Sequence, residues 1–460
     1  MEEEQAKNGE LRRVLGPWSA SALIAGSMIG TGIFIFVSDV AQLLGSPWAI
    51  LGAWVAGAAV ASCGALCMAE LAAAYPETGG TYVFLCRAYG SFTGFLFSWA
   101  EFLIMRPGCF GLMAVAFADF SGQFLGLEQD TPTWAWLSKA VAVGAVVVLT
   151  GINTVGVRTG GTVQNILTAI KVGCVVAVIG VGAAYAMGLL QPHPVSIDPA
   201  EHAEGQFIWL FGAALISIMF TMGGWDESPY VAEEIRDPER NLPLSILGGL
   251  WTVALLFILA NAAYLAILSP AELAGSRGVT APLAMERALG GGTGRVMSLG
   301  LMICTFGVAN GMALTGGRIA FAAGRNQPLF RWFAHAHPKT KTPVRSLAVQ
   351  GILTIVAILI LKDPFDLLLY TGLAYWTFAG LMAAAVIVQR IRDPQRKRPF
   401  RVWGYPVVPI LFVAAAVGMG ISVVAKDLEK STYNALATVI ILAAGAVVFV
   451  IQVAVFREPS

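Results

Sequence analysis

Long apolar runs recur along this 460-residue chain, at 17–37, 47–74, 82–118, 137–155, 161–189, 206–232, 243–268, 295–323, 345–361, 364–389, 405–425 and 433–456. About 20 such residues cross the hydrocarbon core of a bilayer. Inside lipid every backbone N–H and C=O must be satisfied within the protein, which leaves helices as the spanning element for runs of this length. The expected fold class is therefore an all-α polytopic membrane protein of about twelve transmembrane helices. Composition agrees, since only 12% of residues are charged, about half the usual share in soluble domains.

Several function classes fall away early. The opening residues "MEEEQAKNGELRRVLGPW" are polar and run straight into the first span, so no cleaved leader is expected. The net charge of +1 and the lack of a basic, aromatic-rich tract give no reason to expect nucleic acid. All six cysteines lie in or beside apolar segments and read as small packing residues, so no metal is expected. The four histidines fall in predicted loops, which removes an intramembrane histidine proton relay. "GGTGR" at 291–295 matches no nucleotide motif, and no cofactor is expected. Most Lys and Arg residues sit in alternate loops, notably 325–345 and 389–401, which places both termini in the cytoplasm. A short connection at "KDPFD", 362–366, predicts a tight hairpin.

Two spans are interrupted. "GSMIGTGIFIF" at 26–36 places three glycines in seven positions, and "MGGWDESP" at 222–229 places a glycine pair, a proline and two acids inside the sixth span. A single break reads equally well as close helix packing. Two breaks, in the first and sixth spans, open two five-span halves, and matching broken segments point to an inverted-repeat transporter with its site at the midplane. A broken helix frees N–H groups on one side and carbonyls on the other. The N–H groups suit a carboxylate and the carbonyls an ammonium. Together they form a receptor for an α-amino acid. The expected organisation is a tail at 1–16, five-helix repeats at 17–189 and 206–390, and two further helices at 405–456.

The segments "GSMIGTGIF", "GALCMAELAAAYPETGGTYVFLCRAYG" (64–90), "WAEFLIMRP" (99–107), "GGWDESPYVAEEIRDPERNLP" (223–243) and "ANGMALTGGRIAFAAGRN" (309–326) resemble the L-type amino acid transporters of the amino acid–polyamine–organocation superfamily, whose members have the LeuT fold. The likeness runs from about residue 15 to about 410. It implies sodium-independent exchange of mainly neutral L-amino acids by alternating access, in a bacterial inner (plasma) membrane. Carried over by position, the backbone of Gly30, Thr31 and Gly32 would hold the substrate carboxylate. The carbonyls of Met28, Phe220 and Gly223 would hold its amino group, beside Gly224. The Phe220 ring would gate the site, with Trp225 packed beside the unwound segment. Eukaryotic members pair with a glycoprotein through a cysteine between spans three and four. The corresponding stretch here, 119–136, has none, so no disulfide-linked heavy subunit is expected.

Lys171 lies about ten residues into the fifth span. It either snorkels to an interface or faces a cavity or partner. The resemblance places it against the first break, where its ammonium would stand in for sodium. Glu101 and Arg106, five apart and not on one helical face, read as structural charges. Glu70, Glu233 and Glu234 should meet arginines at the inner gate. Asp226 either faces the site, favouring cationic side chains, or caps the restarting helix; the cap is the preferred reading. Cys109 and Tyr375 are placed in the side-chain pocket by position alone. Proton symport through Glu101, Asp226 or Lys171, exchange of cationic amino acids, and a sensor with little transport remain as alternatives. No nucleophile–base or metal constellation supports an enzyme.

Overall fold

The computed structural model describes residues 15–30, 32–127, 131–195, 197–276, 279–340, 342–360, 364–430 and 433–455. Among them, nine helices are long and apolar enough to span a membrane. One helix pair bent by 42° at a short break makes a tenth, against the expected twelve, and Phe207–Thr221 and Val344–Ile360 are two shorter apolar helices. No strand is present among the described residues beyond a single bridge pairing Leu15 with Ile235.

The first span is α1 (Pro17–Met28) and α2 (Gly32–Leu44), the second α3 (Pro47–Ala74). Proline at the first helical position starts both α1 and α3, where its missing N–H is not needed. The third span differs from the expected 82–118. Thr81–Tyr89 forms a separate short helix, α4, and the span runs from Ser91 to Leu125. Gly90 between them has φ 93°, a left-handed conformation that ends one helix and lets the next leave at an angle. Within this span α5 (Ser91–Ala100) and α6 (Arg106–Leu125) flank one π-helical turn, Glu101–Met105.

Spans four and five are α7 (Pro132–Val155) and α8 (Val157–Ala186). The hydroxyl of Thr131 caps α7 by accepting from the Trp134 N–H at 3.2 Å. The sixth span is helical only as α9 (Phe207–Thr221); after an irregular stretch the chain resumes as a 3₁₀ turn, Ser228–Glu234. The seventh, α10 (Pro238–Ile267), begins five residues before the expected 243 and carries Pro243 within its second turn. Two short helices follow, α11 (Pro270–Gly275), closed by a Ser269–Glu272 capping box, and α12 (Thr280–Leu289). Then come α13 (Thr293–Asn326), α14 (Val344–Ile360), α15 (Pro364–Arg392), α16 (Val407–Lys430) and α17 (Asn434–Val455). The expected hairpin at 362–366 lies partly outside the described residues.

α1, α3, α6, α10 and α13 bury much of their length against one another, whereas α16 and α17 present rows of Val, Ile and Leu outward, as lipid-facing helices do. Glycines set the close approaches. A Cβ at Gly249 of α10 would stand 2.5 Å from Ile24 of α1, and one at Gly57 of α3 would stand 2.3 Å from Ile218 of α9. These contacts bring the two interrupted spans to the centre of the bundle.

Candidate functional site

The two breaks meet backbone to backbone. Gly224 has φ 101°, and a Cβ there would lie 2.9 Å from the Ser27 carbonyl carbon and 3.1 Å from the Met28 nitrogen. Gly32 faces Thr221, whose hydroxyl would lie 2.6 Å from an added Cβ. No side chain larger than hydrogen fits at either place without moving a helix. At the breaks Gly30 N–H turns back onto the Met28 carbonyl at 2.8 Å, and Gly223 N–H onto the Phe220 carbonyl at 3.1 Å. Each of these carbonyls keeps a second lone pair for another donor.

A cavity of about 180 Å³ opens at this crossing, more than ten times the roughly 10–15 Å³ that one water needs. Met28, Gly30, Gly32, Phe220, Gly223 and Gly224 line it, and so do Cys109, Asp226 and Tyr375. Thr31 lies outside the described residues. Trp225 and Lys171 are not on the cavity wall. The Trp225 ring packs against Phe412 at 6.0 Å, on the far side of the unwound segment. The cavity extends along α2 to the exposed Asp39, and Phe36 meets the Phe220 ring edge-on at 5.5 Å near its mouth.

At the Leu15 end the chain segments are tied to one another. The Leu15 N–H donates to the Glu234 carbonyl at 2.8 Å, and the Arg236 N–H to the Leu15 carbonyl at 3.0 Å. The expected ion pairs gather here: Glu234 with Arg318 (2.8 Å), Glu233 with Arg325 (2.8 Å), and Glu70 with Arg390 (2.6 Å) and Arg398 (3.5 Å). Glu234 and Arg318 are both buried, yet Glu234 Oε2 and Arg318 Nη1 and Nη2 make no further hydrogen bond.

Lys171 is fully buried, which rules out snorkelling, and its ammonium donates to the Gly26 carbonyl. That carbonyl is one of those released at the C-terminal end of α1, where a cation is favourable. The lysine stem lies against Gly307 of α13, where a Cβ would approach its Cε to 2.4 Å.

Asp226 does not cap. Glu227 occupies the position before the 3₁₀ turn, which has no side-chain cap, and Asp226 lies on the cavity wall, while the Arg106 guanidinium makes its ion pairs with Glu101 and Glu227. Glu101 and Arg106 are also closer than α-helical spacing allows. The π turn places residue i+5 over residue i, and Arg106 reaches Glu101 at 2.6 Å. Arg106 Nη1 also donates to Glu227 at 2.9 Å and to the Thr315 hydroxyl at 3.2 Å, while Thr315 donates to Glu227. This buried cluster ties spans three, six and eight together at the cavity wall. Glu227 was counted in the sixth-span break but given no role from the sequence, although two adjacent acids in a break opposite a mid-span arginine are a usable signal.

Residues 15–447 match the amino acid permease family. The chain belongs to that family. It is 31% identical over 411 residues to the b(0,+)-type amino acid transporter 1 of Mus musculus, covering 88% of this chain and 82% of the relative. It is 30% identical over 408 residues to the serine/threonine exchanger SteT of Bacillus subtilis, covering 88% and 90%. The large neutral amino acids transporter small subunit 2 of Homo sapiens is 31% identical over 408 residues, covering 88% and 75%. An all-α, multi-pass membrane protein of this family accounts for the apolar spans, the paired breaks and the cavity between them.

Proposed function

We propose that this permease is a sodium-independent exchanger of L-amino acids, mainly neutral ones, working by alternating access. The observation that carries the reading is the cavity at the crossing of two broken spans. Free N–H groups at the start of α2 suit the carboxylate, and the carbonyls of Met28, Phe220 and Gly223 suit the ammonium. Two relatives are an exchanger and a b(0,+)-type amino acid transporter by name, which supports exchange of amino acids. In this reading the Lys171 amine, donating to the Gly26 carbonyl, holds the end of α1 behind the first break. Phe220 and Phe36 lie where a gate on the Asp39 side would close, and the ion pairs at the Leu15 end would separate when that side opens. We place the Leu15 end in the cytoplasm of a bacterial inner membrane, with both termini inside, because the Arg-rich loops share that end. Transport here needs no covalent step and no cofactor. The cysteine-free 119–136 stretch supports function without a disulfide-linked heavy subunit. Asp226 on the cavity wall favours a second reading, in which cationic amino acids are also accepted.

The test is uptake of labelled amino acids into proteoliposomes in sodium-free buffer, with and without unlabelled amino acid inside. Uptake into preloaded vesicles alone is the expected outcome. Uptake into empty vesicles that rises at low external pH would replace exchange by proton symport. If the second reading holds, Asp226→Asn lowers exchange of lysine or arginine at least about tenfold against leucine, the factor carried by one charge-assisted hydrogen bond.

A further inference from the structure

The segment linking α13 to α14 opens with "PLFRWF" at 328–333, a 3₁₀ helix. Side chains three apart share a face in such a helix. Phe330 and Phe333 form the inner face. Phe330 is buried against Phe95 at 5.7 Å, and Phe333 meets Phe102 at 5.0 Å. Leu329 and Trp332 form the outer face and are 45% and 54% exposed. The helix is also held from α17, where Gln452 Oε1 accepts from the Leu329 N–H at 3.1 Å. An anchored turn thus presents a leucine and a tryptophan outward.

Cations lie beside this pair. Arg345 places its guanidinium 5.2 Å over the Trp332 ring, and its Nη1 donates to the Trp332 carbonyl at 3.3 Å. Arg331 is exposed, and no Asp or Glu occurs between 327 and 350. Arg345 also begins a stripe along α14. Arg345, Ala348, Ile352, Val356 and Leu359 follow one another at steps of three and four residues, and all five are exposed. That spacing puts them on one helical face, and beyond Arg345 every member is apolar, as a lipid-facing row must be. Ile352 lies about 10 Å further along the axis than Arg345. The row therefore sets Arg345 at its polar end, where hydrocarbon gives way to headgroups, the level that tryptophan rings also favour.

We infer that this patch binds an anionic phospholipid, with the headgroup phosphate on the Arg345 guanidinium and the upper acyl chain against Leu329 and the Trp332 ring. A guanidinium carries five N–H donors, of which the Trp332 carbonyl takes one, and its fork matches two phosphate oxygens at once. Arg331 adds a second positive charge to the same acid-free surface. A soluble phosphate would meet the cations but leave Leu329 and Trp332 in water. A protein partner would have to displace lipid from the α14 row with which the patch is continuous. A phospholipid accounts for both the charge and the apolar face. The patch lies six residues beyond Arg325, which pairs with Glu233, and so belongs to the Leu15 end of the bundle. It is independent of what the protein transports.

The test uses the full-length protein in vesicles of equal parts phosphatidylglycerol and phosphatidylcholine, with one lipid or the other brominated near the headgroup end of its acyl chains. Bromine quenches tryptophan fluorescence on close contact, and subtraction of Trp332→Phe isolates the Trp332 signal. Both leaflets carry the same lipids, so the orientation of the protein does not enter. Brominated phosphatidylglycerol should quench Trp332 at least about fivefold more effectively than brominated phosphatidylcholine, the factor that one cation near an anionic surface supplies. The double variant Arg331→Gln, Arg345→Gln should bring the two lipids to within about twofold of each other. Lys397→Gln removes an exposed charge paired with Glu239 and should leave the preference intact. Equal quenching by the two lipids in the wild-type protein overturns recognition of the anion. Quenching by neither overturns the membrane contact and assigns the patch to a protein partner. A preference lost equally in Lys397→Gln assigns it to the overall field of the protein, and one abolished by inorganic phosphate at constant ionic strength assigns the cations to a soluble anion. Either result overturns the lipid site.

Discussion

Lys171→Ala and Lys171→Met both lower amino acid exchange at least about tenfold, and by up to about a hundredfold, while the purified protein remains monodisperse. The range follows from one charge-assisted hydrogen bond, worth about 1.5–3 kcal/mol, that holds the end of α1 in its binding geometry. The released Gly26 carbonyl has the Lys171 ammonium as its side-chain donor. Without it, the last turn of α1 loses the donor that sets where the break begins. The two variants separate charge from volume. Methionine retains the stem that fills the space against Gly307, and alanine does not, so alanine alone opens a void. Equal loss in both assigns the effect to the ammonium. Exchange near wild-type in Lys171→Met would assign it to packing, and normal exchange in both would end the role of the lysine altogether. The measurement is counterflow in sodium-free proteoliposomes at matched protein density.

Most of the spans were legible because lipid imposes a length on every crossing helix, and that length is visible as an apolar run. The breaks were legible for the same reason, since Gly26, Gly30, Gly32, Gly223 and Gly224 interrupt such runs. Other features depend on partners far along the chain. The start of the third span rests on the left-handed conformation of Gly90, and the apolar run on either side hides it. Pairing of Glu101 with Arg106 needs a π turn, which changes the register without changing composition, and it is supported by Glu227, 121 residues from Arg106. The preference for Asp226 as a cap rested on local chemistry alone; in the fold the chain enters a 3₁₀ turn at Ser228 and Asp226 stays on the cavity wall. Even Gly26, singled out from the start, owes its identity to Gln164 and Thr168 of another helix.

Arg106→Met should be the most damaging single substitution in the bundle. The guanidinium is shared by Glu101 and Glu227, all three are buried, and Thr315 completes the ring. Small residues make room for it: a Cβ at Gly316 would stand 2.6 Å from Arg106 Cγ. Removing the cation leaves two carboxylates in a site that water reaches only through the cavity. Breaking a buried pair in this way costs about 3–5 kcal/mol, because the surviving charge is stranded, whereas replacing all members by neutral groups is often close to neutral. Arg106→Met should therefore lose its monodisperse peak after mild heating in detergent. The triple variant Arg106→Met, Glu101→Gln, Glu227→Gln should recover most of it. Recovery of the fold should not restore transport, because the tie from Glu227 in the sixth-span break to Arg106 of α6 and Thr315 of α13 is lost with the charges. A triple variant as unstable as Arg106→Met would show that the cluster holds the helices together by shape and not by charge. A triple variant that exchanges at the wild-type rate would show that the sixth-span break finds its place without this tie, leaving Gly224 against Ser27 to position it.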